Sequence, residues 1–199
     1  MGEKALVVID VQNDFCPGGA LAVDGGDEIL PAVNALIDAH HTVILTQDWH
    51  PVDHLSFASK HPGSDVFQTI DLPYGPQTLW PDHCVQGTKG AEFHADLNQT
   101  KARAIIRKGY RTRIDSYSAF FENDHATATG LAGYLKDHDI SEIVLCGLAT
   151  DYCVAYSALD AVRLGIAVSV VLDATRAIDL DGSLAAMTQK MRDAGVMLL

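Results

Sequence analysis

The sequence predicts an α/β fold, a three-layer sandwich in which a six-stranded parallel sheet is flanked by helices. Three observations carry that reading. Six short apolar runs rich in β-branched residues recur along the 199 residues. These runs are continuous rather than alternating, as expected for strands covered on both faces. Between most of them lie segments with apolar residues at helical spacing, and such alternation builds parallel sheets through right-handed crossovers. The length suits one domain over residues 1–199, with no linker, repeat or low-complexity segment to divide it.

The strands are expected at 5–10 (ALVVID), 42–48 (TVILTQD), 102–108 (ARAIIRK), 142–148 (EIVLCGL), 167–174 (AVSVVLDA) and 196–199 (VMLL). The first helix, 27–40, carries Ile29, Leu30, Val33, Leu36 and Ile37 on one face. A second runs over 125–137, with Leu131 and Leu135 as its apolar contacts. The third, 151–164, gathers Val154, Ala158, Leu159 and Val162, and Gly165 follows it as a C-terminal stop. A last helix spans 181–194, with Gly195 beyond it. One connection is abnormal. About fifty residues, 49–101, stand where roughly two to six are usual, and they contain Pro51, Pro62, Pro73, Pro76 and Pro81. A long, stiffened excursion in a small domain points to function, and this one holds His50, His54, His61, His83 and His94.

The formal charge of −12 repels nucleic acid and anionic membrane alike, so neither is expected as a partner. No run approaches the roughly 18 apolar residues of a membrane span. The opening MGEKA has no signal-peptide plan, which makes a cytoplasmic protein the expectation, as a monomer or small homo-oligomer. The four cysteines, Cys16, Cys84, Cys146 and Cys153, contain no C-x-x-C, and a reducing compartment gives no reason to pair them. Cys146, inside a strand, reads as core packing.

In an open parallel sheet, ligands bind beyond the carboxyl ends of the strands. Here the first strand ends at Asp10, the second at Asp48 and the third at Lys108, and Cys153 follows the fourth. Cys153 can be read as core, disulfide half, metal ligand or nucleophile, and the last is favoured. Thr150-Asp151 reads as a helix N-cap, so Cys153 falls in a first turn, where partial positive charge and a nearby Lys108 favour thiolate. Asp10 is the candidate base for its proton.

The stretch DWHPVDH sets Asp48, His50 and His54 as D-x-H-x3-H directly after a strand, a donor set for zinc, iron or manganese rather than calcium. His83 is the preferred further ligand, ahead of His61 and His94, and Asp53 is expected to hydrogen-bond a ligand histidine. Phe15 and Trp80 are candidate walls for a flat ring.

At these residues the chain resembles the nicotinamidase (pyrazinamidase) branch of the isochorismatase-like cysteine hydrolases. The likeness runs through VVIDVQNDFCPGGALAV, TQDWHPVDHLSFAS, LWPDHCVQGTKGAEFH, RKGYRTRIDSYSAFFEND and GLATDYCV, and so covers nearly the whole chain. The resemblance implies a Rossmann-like strand order of 3-2-1-4-5-6 and a triad of Asp10, Lys108 and Cys153. It implies one divalent metal ion, zinc before iron or manganese, on Asp48, His50, His54 and His83. A cis peptide before Ala149 is implied too, with the amides of Ala149 and Cys153 as an oxyanion hole. The substrate it implies is nicotinamide, held between Phe15 and Trp80 and against Ala149, and hydrolysed to nicotinate and ammonia through a thioester in NAD salvage; pyrazinamide would be a second substrate. A small-amide or ureido hydrolase of the same superfamily, or a thiol or metal sensor, is the alternative.

Overall fold

The computed structural model describes residues 3–199; the first two residues of the MGEKA stretch lie outside it. In chain order the elements are β1 (Glu3–Ile9), α1 (Leu30–Ala39), β2 (Thr42–Asp48), β3 (Thr69–Leu72), β4 (Gly75–Thr78), β5 (Ala102–Lys108), α2 (Leu131–Asp137), β6 (Ile140–Leu148), α3 (Ala155–Arg163), β7 (Ala167–Arg176), α4 (Ser183–Asp193) and β8 (Met197–Leu198). The main sheet runs β5-β2-β1-β6-β7-β8 with every pairing parallel, which is the 3-2-1-4-5-6 order among its six strands. β3 and β4 form a separate antiparallel hairpin inside the long excursion. Periodicity did not announce it, because its strands are four residues each, partly exposed and interrupted by Pro76.

Successive residues of a strand point to opposite faces, and the core divides accordingly. Leu6, Val8, Val43, Leu45 and Val144 pack with Val33 and Ile37 of α1 on one side. Ala5, Val7, Ile9, Ile44 and Leu145 pack on the other against Leu131 of α2, Ala158 of α3 and Met191 of α4. That two-sided burial is why β1 and β2 read as unbroken apolar runs. β5 departs from the expectation. As the edge strand it alternates, with Arg103, Ile105 and Arg107 exposed, because no helix covers that side of it.

The helices form where expected but start later. α1 begins at Leu30 with Pro31 in its first turn, where a missing N–H costs nothing. α2 begins only after Gly130. The N-cap reading of Thr150-Asp151 is overturned. Ala149 occupies the cap, no side chain caps it, and residues 150–154 make a wide π-type turn before α3. The reason is that the Asp151 carboxylate is turned to another segment, residues 178–183.

Candidate active site

Because β5, β2, β1 and β6 are lateral neighbours, the sheet sets Lys108, Asp48, Asp10 and the Cys153 turn side by side at its carboxyl edge. Asp48 and Lys108 are register partners. Gln12 locks β1 to β2 there: Asp48 N–H donates to Gln12 Oε1 and Gln12 Nε2 donates back to Asp48 O, both at 2.8 Å. Asp10 leaves β1 with φ 46, a left-handed conformation that short polar side chains tolerate best. Its amide donates to Thr46 Oγ1 at 3.1 Å, and the Thr46 hydroxyl donates to Asp10 Oδ1 at 2.6 Å.

Lys108, with 0% exposure, organises the group. Its Nζ lies 2.7 Å from Asp48 Oδ1, 2.9 Å from Asp10 Oδ2, 2.9 Å from Ser116 O and 3.4 Å from Cys153 Sγ. Burial alone would push this ammonium toward neutrality, but Asp10 and Asp48 outweigh it and hold it protonated. The two carboxylates are driven apart. Burial raises Asp10 despite Lys108, while Lys108 and His50 overcome burial and hold Asp48 well below the usual range. A pair of carboxyls so divided is the usual mark of distinct acid–base roles. The expected thiolate is corrected. Burial pushes the Cys153 thiol well up and Lys108 pulls it only partly back, so the packed site favours the thiol over the thiolate. Donor atoms of Asp10, Asp48 and Cys153 fall within 4.8 Å of one another, and the Lys108 ammonium already occupies the space between them.

A second cluster adjoins the first. His50 Nε2 and His83 Nε2 lie 3.4 and 3.7 Å from the same Asp48 Oδ2. Their Nδ1 atoms are tied to carbonyls, His50 to Gly109 O and His83 to Pro81 O, each at 2.8 Å. With Nδ1 tied outward, the two Nε2 atoms and a carboxylate oxygen converge on one point, and once the Nε2 protons are given up they form a set that a divalent cation satisfies. Gly109 makes the approach feasible: at φ +64, a Cβ there would lie 2.4 Å from His50 Cε1.

His54 stands apart from the expected four-ligand set. It groups with His50 and Asp115 rather than with Asp48 and His83. Its Nδ1 takes the Ser56 hydroxyl at 2.7 Å and the Ser56 amide at 3.2 Å, and its Nε2 meets Ile114 O at 3.1 Å. Burial and the neighbouring His50 lower its pKa to about 4, so it is neutral with both ring nitrogens engaged. The remaining candidates fall away from the cluster. His61 Nε2 bonds Leu55 O, His94 lies beside Asp96 at the surface, and Asp53 is exposed with Thr112 as its partner instead of a histidine.

The pocket above both clusters is lined by Phe15, Trp80, Ala149 and Cys153 from the expected set, together with Asp48 and His83. The structure adds Leu21, Asp115, Tyr117, Tyr152 and Ile178. Asp115 is buried, takes a 2.7 Å hydrogen bond from Gln77 Nε2, and lies beside His50 and His54. Tyr117 accepts from Trp80 Nε1 at 3.1 Å and so fixes the indole. Both fall within RTRIDSYSAFF, only a few residues past Lys108, and that proximity to a strand end was the signal available for them. The Leu148–Ala149 peptide at the base of the pocket is cis. Cys16, Cys84, Cys146 and Cys153 are all free and buried.

Comparison with known proteins agrees with this arrangement. The isochorismatase domain family model matches residues 4–199. A nicotinamidase of Acinetobacter baylyi is 55% identical over 192 residues, covering 96% of this chain and 90% of its own. The solved structure of a nicotinamidase/pyrazinamidase from Acinetobacter baumanii superposes with a TM-score of 0.98 at 54% identity, covering 100% of this chain and 96% of that one. A pyrazinamidase of Pyrococcus horikoshii solved in complex with zinc gives 0.81 at 35% identity, covering 99% and 98%. The chain belongs to the isochorismatase domain family and, within it, groups with the nicotinamidases.

Proposed function

We infer that the protein is a metal-dependent nicotinamidase, an amidohydrolase that converts nicotinamide to nicotinate and ammonia and accepts pyrazinamide as well. The observation that carries this reading is the Lys108 ammonium packed among Asp10, Asp48 and Cys153 at the floor of a pocket walled by Phe15 and Trp80.

The chemistry follows from the placement of the side chains. The pyridine ring lies between Phe15 and Trp80, with its carboxamide directed at Cys153. Asp10 Oδ2, buried and with no hydrogen bond of good geometry although Lys108 lies 2.9 Å away, takes the Cys153 proton. Sγ attacks the amide carbon as that proton leaves, so the poorly ionised resting thiol is no obstacle. The backbone N–H groups of Ala149 and Cys153 hold the developing oxyanion, a contribution of about 3–4 kcal/mol in comparable sites. Asp10 then protonates the departing ammonia, and the acyl group remains on sulfur as a thioester. Water gives its proton to Asp10, attacks the thioester and releases nicotinate with the thiol restored. Throughout, Lys108 keeps Asp10 oriented and balances the charge of the buried carboxylates.

Asp48, His50 and His83 would hold the divalent cation, and their donor chemistry admits zinc, iron or manganese. When bound it supplies a Lewis-acidic point that orients the ring nitrogen. His54 supports His50 from the side rather than adding a lone pair. His50→Ala and Asp48→Ala are expected to lose the metal on dialysis. His54→Ala should retain it with affinity weakened by about 10–100-fold, the usual cost of a lost supporting contact. Metal content per chain checks both, and equal loss in all three would restore His54 as a ligand.

The test of function is ammonia release from nicotinamide by the purified protein, with a chelated sample beside it. Release that chelation abolishes and metal restores is the expected outcome. A metal-loaded protein that leaves nicotinamide intact would refute the reading.

A further inference from the structure

Two residues before Cys153, the buried carboxylate of Asp151 has no part in the chemistry above. Both its oxygens are nevertheless filled. Oδ1 accepts the Ile178 amide at 3.0 Å, and Oδ2 accepts the Asp179 amide at 2.8 Å together with the Ser183 hydroxyl. Two of the donors lie in the strap that joins β7 to α4, and the third, Ser183, opens α4. None of residues 177–184 is fully buried, and only Ile178 among them packs against the core on its side of the sheet, so apolar packing holds this strap at one point. Its backbone also turns left-handed at Asp179, Asp181 and Gly182, with φ of 53, 51 and 82. Asp tolerates that region better than most residues, but two such positions within three residues still cost conformational energy that the surrounding hydrogen bonds offset. On its inner side Ile178 lines the pocket beside Ala149, Tyr152 and Cys153, and on its outer side Ala177 and Leu184 face an open cleft.

We infer that Asp151 is a positioning residue that ties the nucleophile turn to the 177–184 strap, so that Ile178 stands as a fixed outer wall against the substrate ring. The fixed wall sets ring selectivity: a ring substituent on that side meets Ile178, and an untied strap admits it. The inference rests on the small-amide reading of the same pocket for its kinetic consequence, but not for its structural one.

The test is Asp151→Asn in the full chain. An amide side chain of the same size puts an N–H where a carboxylate oxygen took one, which breaks the tie without opening a cavity. The KM for nicotinamide should rise about tenfold while kcat stays within about threefold, the signature of lost binding rather than lost chemistry. Discrimination against ring-substituted carboxamides should fall. Hydrogen exchange at the Ile178 and Asp179 amides should speed up by about tenfold or more, because a partly exposed segment held mainly by these hydrogen bonds opens once they are lost. A merely structural role would lower the Tm and leave KM in the folded enzyme unchanged, and that result overturns the inference. Amides that exchange no faster than in the wild type overturn it too. If Asp151→Asn does not fold, Ser183→Ala removes one donor only; it should move KM and exchange in the same direction, and no movement in either is equally fatal. Should the wild type fail to hydrolyse nicotinamide, the proposed function falls while the exchange measurement still reads the strap, so the two failures are distinguishable.

Discussion

Cys153→Ala is expected to abolish ammonia release from nicotinamide, by on the order of 10⁴-fold or more, and to leave metal content unchanged. The size follows from what is lost. Without Sγ there is no thioester, and the pocket retains only orientation and backbone donors, which by themselves give modest acceleration. The specificity follows from geometry. Cys153 approaches Lys108 and the Asp10 side of Asp48, whereas His50 and His83 meet the other oxygen of Asp48. The substitution removes one sulfur atom from a side chain that borders the pocket, a small loss of packing, so the variant should fold and bind substrate. Ammonia release and metal content, measured on one preparation, check both halves. Retained turnover would remove Cys153 as nucleophile, and lost metal would show that the two clusters are less separate than their contacts indicate.

Lys108→Met is expected to damage both stability and rate. The ammonium sits 2.7 and 2.9 Å from two buried carboxylates, and methionine fills its stem volume without its charge. Leaving buried charge uncompensated costs about 3–5 kcal/mol. At about 2–4 °C per kcal/mol for a chain of this size, the Tm should drop by roughly 6–20 °C. The sign of the pH effect follows from the same removal. Lys108 opposes the burial that raises Asp10, so its loss raises Asp10 further and moves the acid limb of the pH–rate profile upward, while Asp10 also loses the ammonium that orients it. Acylation should therefore slow, by up to the roughly 10²–10⁴-fold that general-base catalysis supplies, with a smaller change in nicotinamide binding. Thermal unfolding and single-turnover kinetics separate the two effects. A lowered Tm with unchanged kinetics would reduce Lys108 to a structural ion pair.

The strands, their parallel direction and the helix faces were legible in the sequence because each rests on local periodicity; the strand order came with the family resemblance, and the strand ends marked Asp10, Asp48, Lys108 and Cys153. Adjacency of those residues then follows from strand order alone, since each lies at or just past the carboxyl end of one of four neighbouring strands. Other features depended on contacts between distant residues, for which no periodicity exists. Gln77 reaches Asp115 across 38 positions, Asp151 reaches Ser183 across 32, and Lys108 reaches Cys153 across 45. Thr150-Asp151 looked like a helix cap because local sequence shows only local partners, and the amides of 178 and 179 claimed the carboxylate first. His54 looked equivalent to His50, yet Ser56 and Ile114 occupy both its nitrogens. The ionisation of the site was decided by burial, since desolvation governs the Cys153 thiol more than Lys108 does. Strand ends and family motifs together thus name the residues that meet at the sheet edge. Tertiary structure alone decided what each one's polar atoms are free to do there, because hydrogen-bond occupancy and desolvation are properties of the packed whole.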